Sequence, residues 1–533
     1  MKMRLLQVFA IINCFLMSGC QFSNEKPSSH HNSHTVRLSI PDDPQSFDPR
    51  FVRDLVSVSS IHMLYEGLMR YNAHGKATFA LAESVDISPD YKTYTFHLRP
   101  SIWSDGEPVS AYDFEFAWKS TLDPKIVAPN ANQLYVIKGA KAAKEGKISL
   151  DGIGIHALSP KDLTVELESP VPYFLDLAAS HFYLPVNKKW VEAGSQTKDL
   201  VSNGPFKMQS FKHHNEFVAI KNPLYWNAHA VKLDKIMMQV VDETTGLQLF
   251  QTGQLDWHGS PTSTLPADAL QTLKAQGQLE ILPGAGTHWI RFNTALSPLQ
   301  NVKLRRALTF AIDRKSLVGH VLQGNQVPAL AIVPPSLRLQ DKPYFEDHDI
   351  PKAWALFQDA LEELKISKDE FPTIALCYSQ NERNSRIAQT LQQQWKKAFG
   401  IEVKLENCEV KVFYDKLARQ DYQMSLGSWF ADIEDPMNFL QLFQYRSNST
   451  NNTQWENAKY VELLNKSTQE IQRDKRFSTL RQAEQLLIVE MPVAPLFYAS
   501  FNYVKKHQLK GVYFSPLGFL DFKEAYFDME NEL

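Results

Sequence analysis

Cysteine is scarce in this chain, with 4 in 533 residues. A structural zinc site takes about four ligands at short, regular spacing, and Cys14, Cys20, Cys377 and Cys408 offer no such frame. Outside the cytoplasm Cys377 and Cys408 can pair, or they can stay as two half-buried thiols in neighbouring strand-like stretches. Glycine and proline, at 22 and 29 residues, are too few for a collagen-like or low-complexity chain. Neither sign of charge dominates: the net charge is -3, with 44% apolar residues, which excludes wholesale disorder. The same balance lacks the basic excess of a nucleic-acid-binding surface, and no run of Lys or Arg makes a local exception. Catalytic signatures are missing too. There is no G-x-S-x-G elbow, no H-E-x-x-H and no G-x-x-x-x-G-K-[ST] phosphate loop. The chain reads as a binder rather than an enzyme.

The N-terminus reads as targeting. Lys2 and Arg4 precede a short apolar stretch from Leu5 to Met17, which is shorter than the roughly 20 residues of a membrane span and laid out like a secretory signal. It ends in Met17-Ser18-Gly19-Cys20, which resembles a bacterial lipobox. That resemblance implies a signal peptide over 1–19, removed by cleavage, and a mature chain carrying lipid on Cys20. Residues 20–35 are polar and have almost nothing to bury, so a flexible tether is expected there. His30, His31 and His34 belong to it and are read as solvated rather than metal-binding. Farther on no apolar run approaches roughly 18 residues, so the lipid is the expected membrane attachment.

The body reads as strands interleaved with helices, and at roughly 150 residues per domain its length suggests about three domains. Val36 to Ile40 alternates as a strand and Ser57 to Met69 has helical spacing. Tyr94 to Leu98 and Leu163 to Leu167 are further strands, and Ala111 to Ser120 is a helix with an aromatic inner face. Ile236 to Val241 is nearly all apolar and is expected at the centre of a sheet. Helix Ala353 to Leu364, strand Thr373 to Cys377, helix Arg386 to Ala398 and strand Val403 to Leu405 then alternate, implying an α/β layer on a largely parallel sheet. Trp103 and Trp118 are expected in the core, Asp105-Gly106 in a turn, and Arg305 and Arg306 on a solvated helix face.

Several segments together carry a family resemblance. Leu81-Ala82-Glu83-Ser84, Tyr94 to Arg99, Ile102 to Val109 and Ala111-Tyr112-Asp113-Phe114 are specific to it. Ser46-Phe47-Asp48-Pro49, Ser202 to Phe206, Asn222 to Trp226, Asn301 to Leu308 and Trp429-Phe430-Ala431-Asp432 follow in order. The chain resembles the oligopeptide-binding proteins of bacterial ABC importers, the extracellular solute-binding family 5. The resemblance implies an α/β fold of the periplasmic-binding-protein type (class II), with three lobes, a hinge and a central ligand cleft. One lobe is expected from 36–65, 185–284 and 500–533, a second from 66–184 and a third from 285–499. It further implies a monomer without cofactor or metal, lipid-anchored on the extracytoplasmic or periplasmic face. Such a protein would deliver oligopeptides to permease subunits driven by cytoplasmic ATPases. Cell-wall muropeptides, another small solute, or an adhesin or enzyme on the same scaffold are the alternatives.

A peptide offers a cationic amine, an anionic carboxylate and a pairable backbone, so its site needs an anion, a cation and an open strand edge. In the family the amine anchor is the aspartate of the Trp-x-Ala-Asp stretch, which falls on Asp432. Trp429 and Phe430 would line the neighbouring pocket, with Gly427 and Ser428 offering backbone contacts. The family's carboxylate-binding arginine and histidine fall on Leu426 and roughly Asn384, neither of which carries charge. Arg383 and Arg386 are the nearby candidates to replace them. Arg53, Asp54 and Tyr498 complete the expected binding residues.

Overall fold

The computed structural model describes residues 34–52, 54–72, 75–448 and 450–528. The signal segment, the tether through 33 with Cys20, His30 and His31, and also Arg53 lie outside the described residues. Strand β1 (Thr35–Ile40) opens the body, and His34 Nδ1 already donates to the Lys232 carbonyl at 3.1 Å. Residues 34 and 35 therefore belong to the body and not to the tether.

Helix α1 (Leu55–Leu64) is capped by Asp54, whose carboxylate accepts from the Ser57 N–H at 2.8 Å and the Ser57 hydroxyl at 2.6 Å. It stops five residues before the expected end at Met69, because Tyr65 turns to extended dihedrals (φ -125°, ψ 156°). Leu68 then accepts from the Ala80 N–H at 3.0 Å in an extended, buried segment. Apolar spacing alone does not separate such a segment from a helix.

A four-stranded antiparallel sheet comes next. Its first strands are β2 (Ala82–Ile87) and β3 (Thr93–Leu98), followed by helix α2 (Ala111–Leu122) and strands β4 (Ile155–Ala157) and β5 (Asp162–Glu166), in the order β2-β3-β5-β4. Asp113 fixes the first turn of α2 by accepting from the Ser110 N–H and hydroxyl at 2.8 and 2.9 Å. Trp103 and Trp118 are buried, and Gly106 takes a left-handed φ of +94° in the expected turn.

The remaining strands join β1. They are β6 (Phe206–Lys212), β7 (Glu216–Lys221), β8 (Lys235–Val240), β9 (Trp257–Gly259) and β10 (Glu280–Phe292). Helices α3 (Val302–Phe310) and α4 (Ile350–Leu364) lead into β11 (Ile374–Ser379), α5 (Glu382–Phe399), β12 (Val403–Cys408), α6 (Val410–Arg419) and β13 (Met424–Phe430). Helix α7 (Arg473–Glu490) and strand β14 (Val493–Lys505) follow. The sheet runs β12-β11-β13-β10-β14-β9-β1-β8-β7-β6, with Val327–Pro328 added on β14.

This large sheet is mixed, not largely parallel. Strand β11 is parallel to β12 and β13, and β1 is parallel to β8 and β9. Between those two groups the long strands β10 and β14 run antiparallel to their neighbours. The alternation from Ala353 to Leu405 captured one parallel group only. The expected lobe boundaries at 284/285 and 499/500 fall inside β10 and β14. Strand β8 is likewise not central: it lies third from one end and buries only Ile236 and Met238 on one face.

The solvated face expected at Arg305 is also corrected. Arg305 is 2% exposed and donates to the carbonyls of Leu299, Gln300, Glu490 and Met491 at 2.5 to 3.2 Å. It supplies donors to the otherwise orphaned carbonyls at the end of α7.

Candidate functional site

Strand β13 pairs with β10 along its whole length, from Met424 to Phe430. On its other side β11 meets it only at Met424 and Ser425. From Leu426 onward that edge has no strand partner among the described residues. Where β11 and β13 part, a cavity of about 430 Å³ opens, lined by Leu426, Gly427, Ser428 and Trp429 with Ser379, Asn384 and Arg291. A second cavity, of about 240 Å³, lies past the end of the strand and is lined by Phe430 and Asp432 with Leu55, His62, His181 and Phe519. Residues from both ends of the chain thus meet the Trp-x-Ala-Asp stretch.

Asp432 is held from two sides. Its Oδ2 accepts from Gln133 Nε2 at 2.9 Å, and its N–H donates to Asn438 Oδ1 at 3.2 Å. The same Asn438 oxygen accepts from Trp429 Nε1 at 2.8 Å, so one amide fixes both residues of the motif. Burial pushes the Asp432 carboxyl above the usual aspartate range, against smaller opposing effects of Gln133 and Asn438. Among the described residues no Lys or Arg forms an ion pair with it. The two histidines of this cavity supply no cation either. Burial first, then the nearby Arg70, lowers His62 to about 3, and burial lowers His181 to about 4. Asp432 is therefore a half-buried anion facing neutral rings, and a cationic ligand would complete it.

The other expected residues separate. Arg383 lays its guanidinium over the Phe497 ring, 5.3 Å from the centroid, and Phe497 in turn stacks on His288 at 4.5 Å. Arg386 pairs with Glu382 one turn back on α5, in solvent, and lines neither cavity. Asp54 is the cap of α1, its carboxylate occupied by Ser57. Tyr498 is buried in β14, donates to the Ala331 carbonyl at 3.3 Å and lines neither cavity. Leu426 and Asn384 do line the larger cavity, and Asn384 Nδ2 donates to the Ser379 carbonyl at 3.1 Å. Sequence reasoning missed Gln133, Asn438 and Arg291. Asn438 stands six residues after Asp432, where a search for a clamp on Trp429 would find it; Gln133 and Arg291 belong to remote segments with no motif of their own.

Comparison with known proteins identifies the family of the chain. Residues 76–451 match the family described as bacterial extracellular solute-binding proteins, family 5 Middle. The chain is 41% identical to the oligopeptide-binding protein OppA of Bacillus subtilis, over 97% of this chain and 98% of that one. It is 29% identical to the periplasmic murein peptide-binding protein MppA of Escherichia coli, over 89% of each. Among solved structures, the unliganded open form of the murein tripeptide-binding protein MppA superposes with a TM-score of 0.81 at 27% identity, covering 93% of this chain and 98% of that one. Peptide-bound OppA of Listeria monocytogenes gives 0.72 at 27% identity, covering 94% and 100%.

Proposed function

The chain belongs to the family-5 bacterial extracellular solute-binding proteins, and from that premise we propose that it captures oligopeptides outside the cytoplasm and hands them to an ABC importer. The observation that carries this reading is Asp432: a half-buried carboxylate lining a cavity, raised by burial and with no Lys or Arg paired to it among the described residues. A peptide's ammonium group supplies a cation. The open edge of β13 supplies the second half of the recognition, because an extended peptide can add to it as a strand. Backbone pairing ignores side chains, so the protein would accept many sequences. The reading includes binding without chemical turnover, three lobes that close by hinge bending, and a monomer that meets separate permease subunits and their ATPases.

Anchoring through lipid on Cys20 belongs to the same proposal and rests on Met17-Ser18-Gly19-Cys20. Replacing Cys20 with Ser should move the protein from washed membranes to the soluble extracytoplasmic fraction; retention on the membrane would refute the anchor. For the ligand class, the purified protein is loaded from a peptide mixture, washed, denatured, and its released small molecules are identified by mass spectrometry. Recovered peptides with free amines support the proposal, and their absence in favour of sugars or metal complexes overturns it. Murein peptides are the second reading, favoured by the superposition on a murein tripeptide-binding protein; preferential recovery of these from a mixture holding both kinds would decide for it.

A further inference from the structure

We propose that Arg291 receives a carboxylate of the ligand in the larger cavity, a role that rests on the oligopeptide reading. Arg291 lies on β10 opposite Ser425, and its side chain crosses the face of Gly427. A Cβ at position 427 would overlap the guanidinium. Gly427 does not occupy the left-handed region, so what this glycine provides is room for the Arg291 head group.

The buried arginines of the molecule, a class that does not include the half-buried Arg291, are compensated. Arg50 pairs with Asp48 at 2.6 Å, Arg314 with Asp347 at 3.1 Å and Arg476 with Asp435 at 2.6 Å. Arg70 meets both Glu66 and Asp521, at 2.5 and 2.7 Å. Arg305 has its four backbone carbonyls. Arg291 differs. Its Nη1 donates to the Leu426 carbonyl at 3.0 Å, and no carboxylate pairs with it among the described residues. Its electrostatic neighbours are the phenols of Tyr422 and Tyr414, and burial holds it below the usual arginine range. Arg291 is half-buried at the cavity wall, with donors left over that no protein carboxylate takes, so an anion entering the cavity would find an available cation. The cavity it lines is open to a ligand, and the guanidinium fork matches a carboxylate in two parallel hydrogen bonds.

The location fits as well. Leu426 and Asn384, where the family resemblance expects carboxylate-binding groups, line this same cavity without charge. The cation has moved to the adjacent strand. Strand β13 ends at Phe430, so Gly427 and Asp432 lie at most roughly 17 Å apart, within the reach of an extended peptide of up to roughly four or five residues. Such a peptide would place its amine on Asp432 and its carboxylate on Arg291. An acidic side chain within the peptide presents the same chemistry, and the test separates the two sources.

Calorimetry on the purified chain would compare peptides of that length in three forms: the free acid without acidic residues, its C-terminal amide, and the amide carrying one Glu at each position in turn. The wild type should bind the free acid at least ~30-fold more tightly than the plain amide if the terminal carboxylate is the partner. If a side chain is the partner, one Glu-bearing amide should show that gain instead. Arg291→Met should abolish the gain and leave the plain amide unchanged. Gly427→Ala should also abolish the gain, read as the ratio of free-acid to amide affinity, by displacing the guanidinium while keeping its charge, and a thermal melt checks that each variant folds. Should Arg291→Met not fold, the wild-type series and Gly427→Ala decide alone. Equal wild-type affinity for all forms, or an equal loss for all forms in Arg291→Met, overturns the inference while the oligopeptide reading stands. Failure of every peptide to bind overturns both.

Discussion

Gln133 donates its side-chain amide to the Asp432 carboxylate across 2.9 Å, although 299 positions separate the two residues. The bond stabilises the ionised form of a carboxyl that burial otherwise pushes up. A bound ammonium also requires that ionised form. Peptide affinity should therefore fall as pH drops through the raised Asp432 value. Gln133→Leu removes a lowering influence, so its affinity-against-pH curve should lie at higher pH than that of the wild type. Titration calorimetry across a pH series checks this, and superimposable curves would refute it.

Glu434 and Asp176 line one further cavity and set a stability prediction. Burial, only partly offset by Tyr513 and Ser515, pushes Glu434 up to about 7, and burial with Asp435 nearby pushes Asp176 to about 6. A folded value above the unfolded one contributes stability that is complete below the unfolded value and is lost as pH rises through the folded one. The contribution of Glu434 should thus vanish between about pH 5 and pH 8. Glu434→Gln should flatten that fall and be more stable than the wild type at about pH 8 by up to roughly 3 kcal/mol, less whatever solvent screening of this half-buried group removes. Urea unfolding at both pH values measures it; a variant with an unchanged slope would contradict the assignment.

Arg305 and Arg306 are neighbours with opposite expected behaviour. Arg305→Met strips donors from four carbonyls around the end of α7 and should cost about 3 kcal/mol or more. Arg306 lies over the Phe310 ring, 5.6 Å from its centroid, and Arg306→Met should cost about 1 kcal/mol or less. Denaturant midpoints of the two variants give the comparison, and similar losses would refute it.

Cys377 is buried and Cys408 half-buried, both free, with their sulfurs 3.5 Å apart. Burial, then the hydrogen bond with Cys408, pushes the Cys377 thiol up to about 12. Only the thiolate reacts with alkylating agents. Under reducing conditions at about pH 8, iodoacetamide should leave Cys377 unmodified in the native protein and label it fully after denaturation. Rapid labelling of native Cys377 would show that the thiol is not protected in this way.

Much of the fold was legible because local chemistry and burial agree. Val36 to Ile40, Tyr94 to Leu98 and Ala111 onward carry the periods of the elements they form. Where the pattern failed, the deciding partner was remote. The stretch after Leu64 turns extended because Leu68 meets Ala80, and Arg305 is buried because the end of α7 needs donors. Strand direction in the large sheet depends on β10 and β14, which local alternation does not report. At the site, Asp432, Trp429, Phe430, Ser428 and Gly427 form one contiguous stretch and were read together. Gln133 and Arg291 were missed since nothing near them in sequence marks them; only the folded chain sets them beside β13. Asp54 and Arg386 looked ligand-facing, but Ser57 and Glu382, a few residues away, occupy them.

The central claim is that Asp432 anchors a peptide amine. An ammonium held against a desolvated carboxylate loses roughly 3–5 kcal/mol when one partner is removed, or about two to three orders of magnitude in affinity. The direct measurement is a calorimetric double-mutant cycle that pairs wild type and Asp432→Ala with one peptide bearing a free amine and the same peptide N-acetylated. The account predicts a large loss on mutation for the free-amine peptide, weak binding of the acetylated peptide to wild type, and little further loss when both changes are combined. If the free-amine peptide loses no more than the acetylated one, Asp432 is not the anchor and the peptide reading loses its main support.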